Sequence, residues 1–204
     1  MENGRAEGEV ISLSGAEAAA CVLDPAKGLA LICDVIAKSM AHNQGRPKSA
    51  ALLAISIDNM RPITDLFGQM VVEPIFTNLT GHLRESLRGS DVIARLSEDQ
   101  LGVVLPYFRF NGAAIAIKRV LALRSKPVAT HYGAVDLKLS VAAVLFPDEN
   151  LTPPDVIARA QATLAYNQSR KEDALELTNT VREQLKLLRG ASPAPTGLVF
   201  DQMT

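Results

Sequence analysis

The stretch AALLAISID, positions 50–58, limits what this 204-residue chain can fold into more than any other segment. It follows the polar run HNQGRPKS and stays uncharged up to Asp58. An apolar run of this length suits a strand, and its lack of alternation predicts cover on both faces. A strand of that kind belongs in the middle of a sheet with helices packed on either side. Hydrophobic residues make up 48% of the chain and charged residues 21%, enough for one domain with a sizeable core.

The rest of the pattern supplies the cover. Leu29, Ile32, Ile36 and Met40 recur at helical spacing over 26–43, and Ile75, Leu79, Leu83 and Leu87 do so over 71–88. Asp58 is placed to cap the helix after the strand, with Pro62 in its first turn, and Gly89 to stop the helix of 71–88. A hairpin is predicted over 91–105, a helix from Asn111, and a second pair of extended segments at 128–136 and 138–146. Helices over 154–169 and 173–189 follow, and the tail 190–204 has no clear pattern. The expected fold is α/β (α+β): a central mixed or antiparallel five-stranded sheet flanked by helices. The expected organisation is an N-terminal extension 1–23, a domain 24–172, a further helix 173–189 and a tail 190–204.

Several function classes are excluded. Net charge is −1 with both signs interleaved, so no broad basic face is available for DNA, RNA or an anionic membrane. No uncharged apolar run approaches the ~18 residues of a membrane helix. Glu2, Glu7, Glu9 and Glu17 argue against an export signal, which makes the cytoplasm the expected compartment. Cys21 and Cys33 read as buried thiols, and His42, His82 and His131 lack the spacing of metal ligands.

Two segments carry a resemblance. AISIDNMRPITDLFG (54–68), followed by RGSDVIARLSEDQLGVVLP (88–106), resembles the GGDEF domain of bacterial diguanylate cyclases. DPAKGLA (24–30) is similar to that family's opening D-P-L-T-G-L-P, and SVAAVLFPDEN (140–150) to its S-I-G-V-A-x-x-P-x-D. The resemblance implies a nucleotidyl-cyclase-like, ferredoxin-like palm core. It also implies condensation of two GTP molecules into cyclic di-GMP, each domain of a dimer presenting one GTP.

By that resemblance, Mg²⁺ would be held by carboxylates at Ser56 and Asp99, with Asp58 beside them. Ser56 leaves a neutral hydroxyl, and magnesium wants hard anionic oxygens, so metal binding should weaken. Ser97 and Glu98 stand where the family has glycines, and Gln100 where it has an acidic residue. Glu98 near a triphosphate would repel it. Thr64 and Glu73 match the positions that read guanine, and a hydroxyl cannot replace both the donor and the acceptor of an amide. Gln168 takes the place of a phosphate-binding Lys and Glu172 that of an Arg, with Arg170 and Lys171 nearby. These departures make Asp99, Ser56, Glu98, Gln100, Thr64 and Glu73 remnants, and the expectation is a chain that is not an enzyme.

Arg88-Gly89-Ser90-Asp91 fits the family's R-x-x-D inhibitory site, and Arg119 falls at the spacing of its second Arg. An Arg fork can pair guanine O6 and N7 while a carboxylate accepts from N1–H and the amino group. Arg88 and Asp91 also read as a helix end and a turn residue. The leading expectation is a cyclic di-GMP receptor or signalling adaptor that binds through Arg88, Asp91 and Arg119. It would need no cofactor, signal to an unidentified protein partner and leave room for a homodimer. A protein–protein scaffold and a cyclase with residual activity centred on Asp99 are the alternatives.

Overall fold

The computed structural model describes residues 15–43, 49–108, 112–148 and 151–170. In chain order these form α1 (Gly15–Leu23), α2 (Pro25–His42), β1 (Ala50–Ile57), α3 (Met60–Phe67), α4 (Val72–Ser86), β2 (Val92–Arg95), β3 (Gln100–Leu105), α5 (Gly112–Ala122), β4 (Val128–Thr130), β5 (Gly133–Val135), β6 (Leu139–Phe146) and α6 (Pro153–Arg170). The main sheet has the order β2-β3-β1-β6, and each of its pairings is antiparallel. Every residue of β1 is buried, as its uninterrupted apolar run requires. α2 and α6 touch each other and β1, while α5 packs on β1, β6 and α4.

Local chemistry explains the helix ends. The Asp24 side chain accepts from the backbone N–H groups of Ala26 and Lys27, and Pro25 occupies the first turn of α2, where its missing N–H costs nothing. At the other end of α2 the buried Asn43 amide donates to Ser39 O (2.8 Å) and Pro106 O (2.8 Å). This ties the helix to the exit of β3. Gly28 lets α2 approach β2 at backbone distance: a Cβ there would lie 2.1 Å from the Arg95 carbonyl oxygen.

Some expectations change. The two extended segments after α5 do not pair with each other. β4 and β5 form a separate two-stranded ribbon, and β6 leaves it to pair with β1 along the full register from Ala50↔Phe146 to Ile57↔Leu139. The main sheet therefore has four strands. The physical reason is burial: β6 is almost wholly apolar and buried, whereas β5 (Gly133-Ala134-Val135) has no side chain fully buried. α4 ends at Ser86, before Gly89, and residues 88–91 form a turn. Residues 15–23, expected within an extension, form a helix packed on α2, β2 and α4. The helix and tail expected over 173–189 and 190–204 lie outside the described residues.

Candidate functional site

Two polar clusters stand out, one at the end of β1 and one at the exit of α4. At the first, the buried Ser56 lies between Gln100 on β3 and Ser140 on β6 in the sheet register. Gln168, in the last turn of α6, donates its amide to Ser56 Oγ (2.8 Å) and Asp58 Oδ1 (2.6 Å). Ser140 Oγ donates to Asp58 Oδ2 (2.6 Å). Asp58 therefore does not cap α3. The capping position falls to Asn59, whose side chain is also spent elsewhere, donating to Asp136 O (2.9 Å) and accepting from Lys138 N (2.8 Å).

The turn between β2 and β3 closes over the same strand end. Ile57 N–H donates to Asp99 O (2.9 Å), and Ser97 Oγ donates to Asp99 Oδ1 (2.8 Å). Gln100 accepts a long bond from Gln161 of α6 (3.4 Å), and the Glu98 side chain is exposed. The turn is held from beneath by Arg95, a residue whose role sequence reasoning missed. Its guanidinium, 7% exposed, donates to Ser97 O (2.8 Å), Glu98 O (2.7 Å) and Leu23 O (3.2 Å) and lies 4.0 Å over the Phe76 ring. Burial lowers its pKa, and the charges of Glu98, Asp99 and Glu73 act the other way. The available signal was a single Arg in an otherwise apolar strand, VIAR, at an inward position.

Thr64 and Glu73 are placed differently. Thr64 Oγ1 donates to Arg61 O within α3 (2.9 Å), while the exposed Glu73 lines an open cleft of about 400 Å³ with Thr77, Asn78, Thr130 and His131. The divalent cation implied by the resemblance needs converging anionic oxygens. Here an amide N–H points at both Ser56 Oγ and Asp58 Oδ1, and Ser56 carries no charge. The donor set in this arrangement does not fit Mg²⁺, so no chemistry is routed through a metal.

The second cluster brings Arg88, Asp91 and Arg119 to one place. Arg88 and Asp91 grip each other across the turn: Asp91 N–H donates to Arg88 O (3.0 Å), and Arg88 N–H donates to Asp91 Oδ2 (2.8 Å). Arg119 reaches over from α5 and donates to Ser86 O (3.1 Å) at the end of α4. All three line a single recess of about 120 Å³ whose other wall includes Leu87, Tyr107, Phe108 and Ile115. Asp91 is 8% exposed. Burial raises its pKa, opposed by the Arg88 N–H and by the charges of Arg88 and Arg119. The Arg88 side chain is exposed and available to a ligand.

An antiparallel sheet with this strand order, a polar turn over its central strand and helices packed around it define an α/β domain of the nucleotidyl-cyclase palm type. The description "Diguanylate cyclase, GGDEF domain" matches residues 30–174, and the chain belongs to the GGDEF family. It is 27% identical over 149 residues to diguanylate cyclase TpbB of Pseudomonas aeruginosa, covering 70% of this chain and 34% of TpbB. It is 25% identical over 159 residues to diguanylate cyclase DgcP of the same organism, covering 76% of this chain and 23% of DgcP. The chain thus spans about a third or less of the length of these curated relatives.

Solved structures agree on the fold. The GGDEF domain of TpbB gives a TM-score of 0.63 at 22% identity, covering 69% of this chain and 89% of that one. Diguanylate cyclase SiaD from Pseudomonas aeruginosa, solved in complex with its activator SiaC, gives 0.62 at 18%, covering 69% and 54%. A microbial GGDEF domain solved for its interaction with cyclic di-GMP gives 0.56 at 16%, covering 72% and 85%.

One expectation is overturned by these comparisons. The chain was expected not to be an enzyme, yet the family it belongs to is described as diguanylate cyclase and both relatives carry that name. Substitutions at individual ligand positions were too narrow a basis for that expectation. Among the described residues, no helix is long and apolar enough to cross a membrane.

Proposed function

We propose that this GGDEF domain binds cyclic di-GMP at the recess of Arg88, Asp91 and Arg119 and acts as a cyclic di-GMP-responsive signalling domain in the cytoplasm. The observation that carries this is the meeting of all three residues on one recess, although Arg119 comes from a different helix. Arg88 supplies a fork for guanine O6 and N7, Asp91 accepts from N1–H and the amino group, and Arg119 adds positive charge for a phosphate. Such a site needs no metal, because the base is read by hydrogen bonds and the Arg119 guanidinium supplies the positive charge for a phosphate. The relative solved for its interaction with cyclic di-GMP supports the ligand, and the SiaD–SiaC complex supports a protein partner as receiver of the signal.

The test is calorimetry of the full chain with cyclic di-GMP. The wild type should bind, and Arg88→Ala, a change to an exposed side chain, should lose about tenfold or more, the scale of one bidentate base contact. No heat at tens of micromolar protein, or an unchanged affinity in Arg88→Ala, would sink the proposal. A second activity, condensation of GTP, is favoured by the names of the relatives. Chromatography after incubation with GTP and Mg²⁺ measures it directly. Cyclic di-GMP that appears with the wild type and vanishes in Asp99→Ala assigns turnover to the turn above β1.

A further inference from the structure

α3 carries apolar side chains on the side it does not bury. Met60 and Ile63 face the core, and Phe67 is half-buried. Leu66 points outward with 74% of its surface exposed, and four residues on, past Gly68, Met70 keeps 81%. Pro62, one turn before Leu66, is exposed as well. Val71 is buried, which fixes its neighbour Met70 outward. Tyr132, in the turn between β4 and β5, is 54% exposed and stacks on Phe67 with ring centroids 5.2 Å apart. Single exposed apolar residues are ordinary, but a group of them marks a contact surface. Leu66 and Met70 are the most exposed large apolar side chains among the described residues.

The chain leaves α6 beside this face. α6 closes at Arg170, and the Gln168 amide lies 2.6 Å from Asp58, two residues before α3 begins. The helix expected over 173–189, which lies outside the described residues, has Leu177, Val181, Leu185 and Leu188 on one stripe. Such a stripe needs an apolar face to cover it. A helix of that length is about 25 Å long, so one that turns back after Arg170 spans the ~9 Å from the start of α3 to Leu66 and the patch beyond it. A second copy of the chain fits less well. Four partly exposed side chains offer less than the ~800 Å² per partner of a stable interface, whereas a tethered segment acts at an effective concentration on the order of millimolar.

We infer that residues 173–189 dock on α3 of the same chain, seating the Leu177, Val181, Leu185 and Leu188 stripe on Leu66, Met70 and Tyr132. Thr130 and His131, which precede Tyr132, line the open cleft of Glu73, so the docked segment stands at the rim of that cleft. The contact needs no nucleotide. It does not rest on the cyclic di-GMP reading, and no residue of the Arg88 recess takes part in it.

Hydrogen–deuterium exchange read by mass spectrometry tests this on the full chain without ligand. Three variants accompany the wild type: Leu66→Asp/Met70→Asp on the patch, Val181→Asp/Leu185→Asp on the segment, and Ile115→Asp, at an exposed apolar residue of α5, as control. Circular dichroism checks that each is folded, and sedimentation gives the oligomeric state. In a wild-type monomer the amides of 173–189 should exchange about tenfold or more slower than in an unstructured peptide. Leu66→Asp/Met70→Asp should speed their exchange by about tenfold or more, the scale of burying one large apolar side chain. Val181→Asp/Leu185→Asp should speed exchange in the peptide that covers α3, and Ile115→Asp should change neither. A segment unprotected in the wild type overturns the inference and leaves the patch to a separate partner. Protection that survives Leu66→Asp/Met70→Asp, or that Ile115→Asp removes equally, overturns it by placing the segment elsewhere. Protection that appears only with a dimer in sedimentation overturns it in favour of a second copy.

Discussion

Replacing Gly28 with Ala asks whether α2 and β2 are held in backbone contact. An added Cβ would lie 2.1 Å from Arg95 O, 2.6 Å from Cys21 O and 2.7 Å from Arg95 N. All three are main-chain atoms, so no side chain can swing aside. Restoring an ordinary separation, roughly 3.5 Å or more between non-bonded heavy atoms, requires α2 to move away from β2 by roughly 1.4 Å. Arg95 moves with that contact, and its guanidinium holds the carbonyls of Ser97 and Glu98. Overpacking costs about 1–3 kcal/mol and occasionally more. Ala is the better helix former by about 1 kcal/mol, which offsets only part of that. A backbone clash belongs at the upper end, so the net loss should be about 2 kcal/mol. In a domain of this size that lowers the melting temperature by roughly 4–8 °C. Gly81, exposed inside α4 with nothing within 4 Å of its would-be Cβ, is the control. There the same substitution should stabilise by about 0.5–1 kcal/mol. Thermal and urea unfolding followed by circular dichroism measure both. Gly28→Ala at or above wild-type stability would refute the close approach. An equal fall in Gly81→Ala would show that the loss does not come from the contact.

Two further outcomes follow from the polar clusters. Burial raises the Asp91 pKa, so its folded value lies above its unfolded one and its protonated form is favoured by folding. Its contribution to stability is present below the unfolded value and lost as pH rises through the folded value. Urea unfolding should therefore show Asp91→Asn at least as stable as wild type at neutral pH, while calorimetry shows about tenfold or more weaker binding of cyclic di-GMP. Wild-type affinity should fall on acidification at a higher pH than an ordinary Asp would give. A pH-independent affinity would argue against the carboxylate as the guanine acceptor. At the β1 end, Gln168→Ala removes the donor shared by Ser56 and Asp58 and should cost about 1 kcal/mol in urea unfolding. Mg²⁺ or EDTA should leave the wild-type melting temperature unchanged, whereas Mg²⁺ should raise it in Ser56→Asp/Gln168→Ala, where two carboxylates converge. A Mg²⁺-dependent shift of the wild type would contradict the misfit between the ion and these donors.

Much of the fold was legible because its signals are local. The AALLAISI run announced a central strand, and the apolar periodicity of 26–43 and 71–88 announced α2 and α4. Arg88 and Asp91 were legible for the same reason, since they meet across a four-residue turn. The names of the relatives overturned the expectation that the chain is not an enzyme, because substitutions read one position at a time do not report on the activity of the whole domain.

The chain's own sequence thus determined the buried central strand, the helices marked by apolar periodicity, the β2–β3 hairpin and the Arg88–Asp91 pair. These depend on neighbours within a turn or on periodicity. Only the tertiary structure decided that β6 joins β1 while β4 and β5 stand apart, and that Arg119 closes onto the Asp91 recess. It alone brought Gln168 across 110 residues to Asp58, and set Arg95 under the turn rather than in solvent. Such pairings are fixed by which surfaces pack together to bury the core. No local propensity encodes them: a Gln in the last turn of a helix reads the same in sequence whether it faces water or a carboxylate.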